Sequence, residues 1–584
     1  TYAQQSRWAE GGYRAINHEV YIQDNWKARR NLTLDYGFRF VHQVPQYDSY
    51  LQAANFFPDE WNPSQAPVLY VAGCANGAAA CSAPNRQAMN PITGLFLGPN
   101  STLAIGTLVP NTGDRLNGIQ IPGQDIVETH LKYPALKVAP RFGAAWDISG
   151  NQTFIVRGGA RLFFDRPPAS PNVYDTSQNP PFTRNVALRY GKLQDLGGTG
   201  LQTEAPPALS IWQYEMPLPS STQWNVGTQF SIPYNAVLDV SYTGQHSYGT
   251  ISGVNINNID IGSAYSPQFA DPTQAIPTPA NSYVSTQPNL VRYYRGYSTI
   301  TQQQAIGWRT YHSLQFALTR RFRDGLAFGF NDTFQLSDQQ FVAPRLQHNA
   351  DGTITIRSDQ ATAQKLFGDN QPLPHVMRAY FTWDMPDLDS PSGIGKAVGL
   401  VVNDWSLSGI WNGASGNAYN VTFTYQTGGG NVNLTGSPDY AARVYVIGDT
   451  GSGCGSDPLQ QFNTGAFKGP APGSDGLESP SNYLRGCFVN STDLAIARTI
   501  VLGGRRSLQI RMDIFNAFNQ SAITNRNTSM TLSNPSDPLT ILNLPYNPDG
   551  SLVPARAVPR GAGFGVATAY QAPRTMQFQI RFSF

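Results

Sequence analysis

The chain has 584 residues with 40 Lys or Arg against 38 Asp or Glu, and a formal net charge of +2 gives no reason to expect a nucleic-acid partner. Only 13% of residues are charged, about half the usual share for soluble domains, while 55 Gly, 43 Pro and 12% aromatic residues are unusually many. No stretch approaches 18 consecutive apolar residues and mean hydropathy is −0.32, which excludes a membrane-spanning helix but not a barrel wall, whose hydrophobicity is diluted by alternation.

The opening TYAQQSRWAE has neither an initiator Met nor a signal peptide, and reads as a mature or excised start. The first strand pair follows. EVYIQDNWKA turns at Arg29-Arg30-Asn31 into a strand with Leu32, Leu34, Tyr36, Phe38 and Phe40 on one face and Thr33, Asp35, Gly37 and Arg39 on the other. Further on, Val138, Pro140, Phe142, Ala144 and Trp146 oppose Arg141, Gly143 and Asp147. SGNQ then turns the chain into Phe154, Val156, Ala160 and Leu162, opposing Arg157, Gly159 and Arg161. The pattern returns on both sides of Pro233-Tyr234-Asn235, with Asp239 on the polar face, and again around Arg323-Asp324-Gly325. A looser pair centred on Phe381, Trp383, Trp405 and Trp411 is joined by PDLDSPSGIGKAVG, and a further pair turns at Gly503-Gly504-Arg505, with Arg511 and Asp513 on its polar face. The chain closes on MQFQIRFSF, where Met576, Phe578, Ile580, Phe582 and Phe584 alternate with polar residues.

A strand with one fully apolar and one fully polar face needs two different solvents, either core and water or lipid and a wet lumen. The connections decide between them. Segments 44–136, 166–221, 247–309 and 518–573 are long and rich in Gly, Pro, Asn, Ser and Thr, whereas the other strand ends turn tightly. Short turns at one end and long loops at the other is the asymmetry of an outer-membrane barrel, and Trp26, Trp146, Trp224, Trp405 and Trp411 suit its interfacial girdles. The expectation is an all-β fold, an antiparallel transmembrane β-barrel in the outer membrane of a Gram-negative bacterium with long extracellular loops. About 13 strands are read, and in bacterial barrels the number is even, so the sequence predicts an incomplete barrel fragment.

The strings VYIQDNWKARRNLTLDYGFRF, APRFGAAWDISGNQTFIVRGGARLFFD, YHSLQFALTRRF, the FNAFN of residues 515–519 and the terminal Phe584 resemble the barrel of TonB-dependent outer-membrane receptors, most closely the Oar-like group. The resemblance covers nearly all of residues 1–584 and implies the C-terminal portion of such a barrel. It also implies a plug and roughly nine further strands elsewhere, against about 22 for such transporters. Neither a plug nor a TonB box is visible here. The resemblance further implies coupling to the TonB energy-transducing complex, and Phe584 as an assembly signal read by the barrel-assembly machinery. The expected function is ligand uptake through a plug-gated lumen. Oar-like surface adhesion or assistance of protein export, and a passive porin, are the alternatives.

No enzyme chemistry is expected, since the seven histidines are scattered without HExxH or metal-ligand spacing, and no cofactor is expected either. Parity places Arg39, Arg141, Arg157, Arg161, Asp239, Arg511 and Asp513 on the face away from lipid, as ion pairs of the wall or as ligand contacts. In the loops, VRYYRGYSTI offers Arg292, Tyr293, Tyr294, Arg295 and Tyr297, which could stack on a glycan or peptide. Cys74 with Cys81 and Cys454 with Cys487 suggest two local disulfides by sequence order, although four cysteines permit three pairings.

Overall fold

The computed structural model describes all residues except 1, 8–9, 169–172, 193, 196–199, 275–286, 350, 352, 369–372 and 390–391. Its main body is one large antiparallel sheet in which each strand pairs with the next in chain order. The strands are β1 (Asn17–Arg29), β2 (Leu32–Gln43), β3 (Lys137–Asp147), β4 (Phe154–Phe164), β5 (Ser220–Ile232), β6 (Ala236–Asn255), β7 (Ile300–Arg323), β8 (Leu326–Gln340), β9 (His375–Asp384), β10 (Trp405–Ala414), β11 (Val489–Gly503), β12 (Arg506–Phe515) and β13 (Thr575–Ser583). A short strand, Leu209–Trp212, joins β7 in parallel. Among the described residues no pairing joins β1 to β13, and the sheet is open.

The register carries the alternation from strand to strand. Residues directly opposite in a ladder share a face, so one row runs Phe154, Phe230, Leu238, Leu318, Phe330, Ala379, Trp411 across seven neighbouring strands. Near one edge Ile22, Phe38 and Pro140 align, and near the other Ile496, Met512 and Phe578. These large residues face outward: Ile22, Phe578 and Ile580 are exposed by 68%, 71% and 74%. Buried apolar cores lie elsewhere, in the long connections. One gathers Tyr425, Phe462, Phe467, Met530, Leu532 and Phe564; another gathers Phe56, Ile211, Tyr294, Tyr297 and Ile300. The connections therefore fold into a packed cap on one end of the sheet, and the N-terminal strand Tyr2–Gln5 belongs to that cap through pairing with Asn185–Arg189.

Two sequence expectations are corrected. The connection expected over 247–309 is shorter, because β6 runs to Asn255 and β7 starts at Ile300. Both strands continue into the cap through Gln245-His246-Ser247 and Thr301-Gln302-Gln303, where polar residues occupy both faces and alternation gives no signal. PDLDSPSGIGKAVG is not a plain turn but contains the helix Gly393–Val402. The FNAFN string forms the tight exit from β12. Asn516 and Asn519 adopt left-handed backbone, Asn516 Nδ2 donates to the carbonyls of Gln520 and Ala572 at 2.8 and 2.9 Å, and the Arg574 N–H donates to Asn519 Oδ1 at 3.0 Å. That corner fastens the approach of β13 to the wall.

Candidate functional site

On the face opposite the apolar one, β1 to β5 form a shallow bed of about 430 Å³ lined by Asn25, Asp35, Arg141, Arg157, Arg161 and Asn225. Its floor is the rung Asp35, Gly143, Gly159, Asn225, whose two central members lack side chains. On the neighbouring rung Arg141 and Arg161 stand directly opposite each other. Like charges so placed repel, by roughly 0.2–1 kcal/mol. Arg161 rests on the ring of Phe163 with its guanidinium carbon 5.3 Å from the centroid, a favourable cation–π contact. Arg141 makes no hydrogen bond or ion pair among the described residues. At the other end of the bed Arg157 pairs with Asp239, while Asp35 Oδ1 is buried without a partner among the described residues. The bed thus holds unneutralised positive charge over a bare backbone floor.

The other wall candidates are paired. Arg39 bonds Glu19 across the β1–β2 ladder, and Arg511 grips Asp513 two residues on, at 2.8 and 2.9 Å. These pairs are half exposed and contribute little individually.

In the cap, the VRYYRGYSTI stretch divides. Arg292 is buried and bonds Asp439 at 3.0 and 3.2 Å; Tyr297 is buried and donates to the Asn117 carbonyl at 2.8 Å; the Tyr294 N–H donates to Asn257 Oδ1 at 2.8 Å. Burial pushes the Tyr294 hydroxyl up to about 12, so it stays neutral. Arg295 and Tyr293 face outward, with Tyr293 stacked on His348 at 5.5 Å and 6.0 Å from Trp61.

A second cavity, about 510 Å³, opens beside Gly296 and was not visible in the sequence. Pro67, Pro180, Pro181, Pro206 and Pro207 wall it, with Leu108 and Leu116. Its polar corner is Glu204, which accepts from Arg184 at 2.6 and 2.9 Å and from Arg115 at 2.5 Å. Burial raises the Glu204 carboxyl, but the two guanidinium groups outweigh it and hold the carboxyl below the usual range. The trio carries a net +1. Its members lie 89 and 20 residues apart in the chain, a distance over which no local motif gives warning.

The four cysteines form two bonds in the cap, Cys74–Cys81 and Cys454–Cys487. Phe584 lies beyond the last ladder pair, 93% exposed.

A wide antiparallel sheet with an exposed apolar face, a charged opposite face and a folded cap at one end defines an outer-membrane β-barrel protein. The chain belongs to the outer membrane beta barrel domain family, whose model matches residues 1–577, and its place is the outer membrane of a Gram-negative cell. No curated protein matches it. Similar solved structures include the ferric enterobactin receptor of Pseudomonas aeruginosa, with 12% identity over 97% of this chain and 53% of that one and a TM-score of 0.38. The outer membrane transporter YddB from Escherichia coli has 10% identity over 97% and 53%, with a TM-score of 0.39. The ferric-catecholate import receptor Fiu from Escherichia coli has 8% over 97% and 44%, with a TM-score of 0.36. The chain spans about half the length of these structures.

Proposed function

We propose that residues 1–584 are the C-terminal portion of a TonB-dependent receptor barrel of Oar-like type, and that this barrel takes up a ligand. The observation that carries the uptake reading is the bed on the inner face, where Arg141 and Arg161 stand side by side beside the Gly143 and Gly159 floor, neither in an ion pair among the described residues. Such a surface suits an anionic or polar partner passing through, or plugging, the lumen. The outer cap captures the ligand, in the proline-walled cavity at Glu204 or on the exposed Tyr293 and Arg295, a glycan or peptide fitting the latter. A plug and the TonB complex gate and energise passage; both are inferred from the motif resemblance. The sheet of β1 to β13 is then an incomplete barrel fragment, because an open edge facing lipid leaves backbone groups unpaired at several kcal/mol each, and the remaining strands must cover β1 and β13.

Growth of a deletion strain on defined carbon and metal sources tests this reading. A defect confined to one nutrient, restored by the wild-type gene, is expected; normal growth on every source discards uptake. Surface adhesion or export assistance is favoured by a different observation, the cap's two disulfides and its buried cores, which present a rigid outer surface. Loss of surface attachment without any nutrient defect would select it.

A further inference from the structure

We infer that the Gly393–Val402 helix is a membrane-interface anchor, lying on the outside of the wall in the leaflet nearest the short turns, with lipid as the occupant of its apolar surface. The inference rests on the outer-membrane placement of the wall and not on ligand uptake.

The helix links β9 to β10 at the end where β1–β2, β3–β4, β5–β6, β7–β8 and β11–β12 reverse through short turns. Chain reversal therefore does not require it. Its side of the sheet is set by two residues of the apolar face, Trp405 and Arg498, which stand opposite each other in the β10–β11 ladder, one rung from Leu407 and Ile496. Trp405 Nε1 donates to the Val401 carbonyl at 2.8 Å, Arg498 Nε donates to the Asn403 carbonyl at 3.1 Å, and Arg498 Nη2 donates to the Leu400 carbonyl. Because both donors belong to the outward face, the end of the helix they hold is on that side.

The same contacts account for a cation at this point of a largely apolar face. A helix C-terminus carries partial negative charge and unsatisfied carbonyls, and Arg498 supplies both charge and donors. Its guanidinium carbon also lies 5.9 Å from the Trp405 ring centroid. Ser392 caps the other end by accepting from the Gly395 N–H at 2.9 Å, and Asn403 clamps the link shut through the Leu388 N–H and carbonyl.

Among the described residues of this ten-residue helix, the large side chains left exposed are aliphatic. Ile394, Val398, Leu400, Val401 and Val402 are all open, Ile394 by 82% and Leu400 by 75%. A patch of this kind is costly in water and ordinary at the headgroup–acyl boundary. It adjoins Trp405 through the Val401 hydrogen bond, and Trp383 lies on the same outward face opposite Leu407, both residues of the type that sits at that depth.

The test uses the protein folded in phospholipid vesicles. Ile394→Cys and Leu400→Cys are each labelled with an environment-sensitive dye, with Arg30→Cys in a short turn as the aqueous reference and Phe578→Cys as the lipid reference. Expected are blue-shifted emission at 394 and 400, quenching by lipids spin-labelled near the headgroup end of the acyl chain, and iodide quenching several-fold weaker than at 30. Iodide quenching equal to that at 30, or shielding from both iodide and lipid quenchers, overturns the proposal. The unsubstituted protein gives an independent readout: a lipid-borne photoactivatable diazirine should label 393–402, and labelling of β13 without this segment also overturns it.

Discussion

Arg141 and Arg161 face each other across adjacent antiparallel strands, with only Gly37 and Gln223 on either side of them in the same rung. A wall seeking stability alone would separate or pair these charges. Replacing either by Gln removes repulsion of up to about 1 kcal/mol, so the variants are expected to assemble at least as well as the wild type. Uptake of the ligand should nonetheless fall several-fold. Wild-type uptake in the double variant, at equal amounts of folded protein, would remove the bed from the transport path.

Gly143 offers a second approach to the same bed. A Cβ there meets only ordinary contacts, the nearest being Asp35 Cβ at 3.7 Å, so Gly143→Phe adds bulk without a backbone clash. A Cβ on Gly159 would lie 2.8 Å from the Phe142 carbonyl oxygen and confound the result with strain. Gly143→Phe is expected to block passage while heat-modifiable gel migration stays unchanged; unimpaired passage would show that the ligand does not cross this floor.

Orientation is tested on β13. Phe578 lies on the outward face with Met512, and Gln577 on the other with Asp513. Phe578→Arg is expected to cost about 2–4 kcal/mol of insertion if it lies near the midplane, and Gln577→Arg much less. Equal losses in a vesicle folding assay would contradict the assignment of faces.

The Glu204 trio predicts acid sensitivity of the cap. Its carboxyl is held below the ordinary value of about 4.3, so its contribution is present above that value and is lost as pH falls through the lower folded value. Hydrogen exchange around 184–204, taken relative to the intrinsic rate at each pH, should thus be constant from neutral pH down to about 5 and rise only in stronger acid. Glu204→Gln should show the raised exchange already at neutral pH. Identical exchange in the two proteins would mean that the trio does not hold the cavity.

The two disulfides should differ in weight. Cys454–Cys487 closes a separation of 33 residues and Cys74–Cys81 one of 7. Chain-entropy reasoning gives about 4 and about 2 kcal/mol. Removing the longer bridge should therefore sensitise the cap to protease far more than removing the shorter, as read by limited proteolysis of intact cells. The reverse order would point to a cap held by its apolar cores instead.

The wall was legible in the sequence because a two-solvent strand writes its geometry as a period of two. Phe154, Val156 and Leu162 declare their face before any coordinates exist, and that pattern placed Arg141, Arg157 and Arg161 together. The cap was not legible. Glu204, Arg115 and Arg184 meet through contacts distant in sequence, and Tyr297, which reads as a sticky surface aromatic, is a buried post hydrogen-bonded to Asn117. The upper halves of β6 and β7 were missed for a related reason: they pack against the cap, with Val254 and Ile300 in its core, and not against lipid, so they carry no strict alternation to read. The Gly393–Val402 helix was hidden by its glycines, which resemble turn chemistry until Arg498 and Trp405 are seen to hold its end.

The apolar cores lie in the cap, while the sheet shows its apolar face to the outside. Two halves of one chain therefore answer to two different chemistries of denaturation. Extraction into a poor detergent starves the wall and leaves the cap's cohesion untouched; urea in the external medium attacks the cap while the bilayer still shields the wall. Antibodies raised against the native cap should go on recognising protein whose wall has already come apart, so antigenicity and the integrity of the wall can be lost independently.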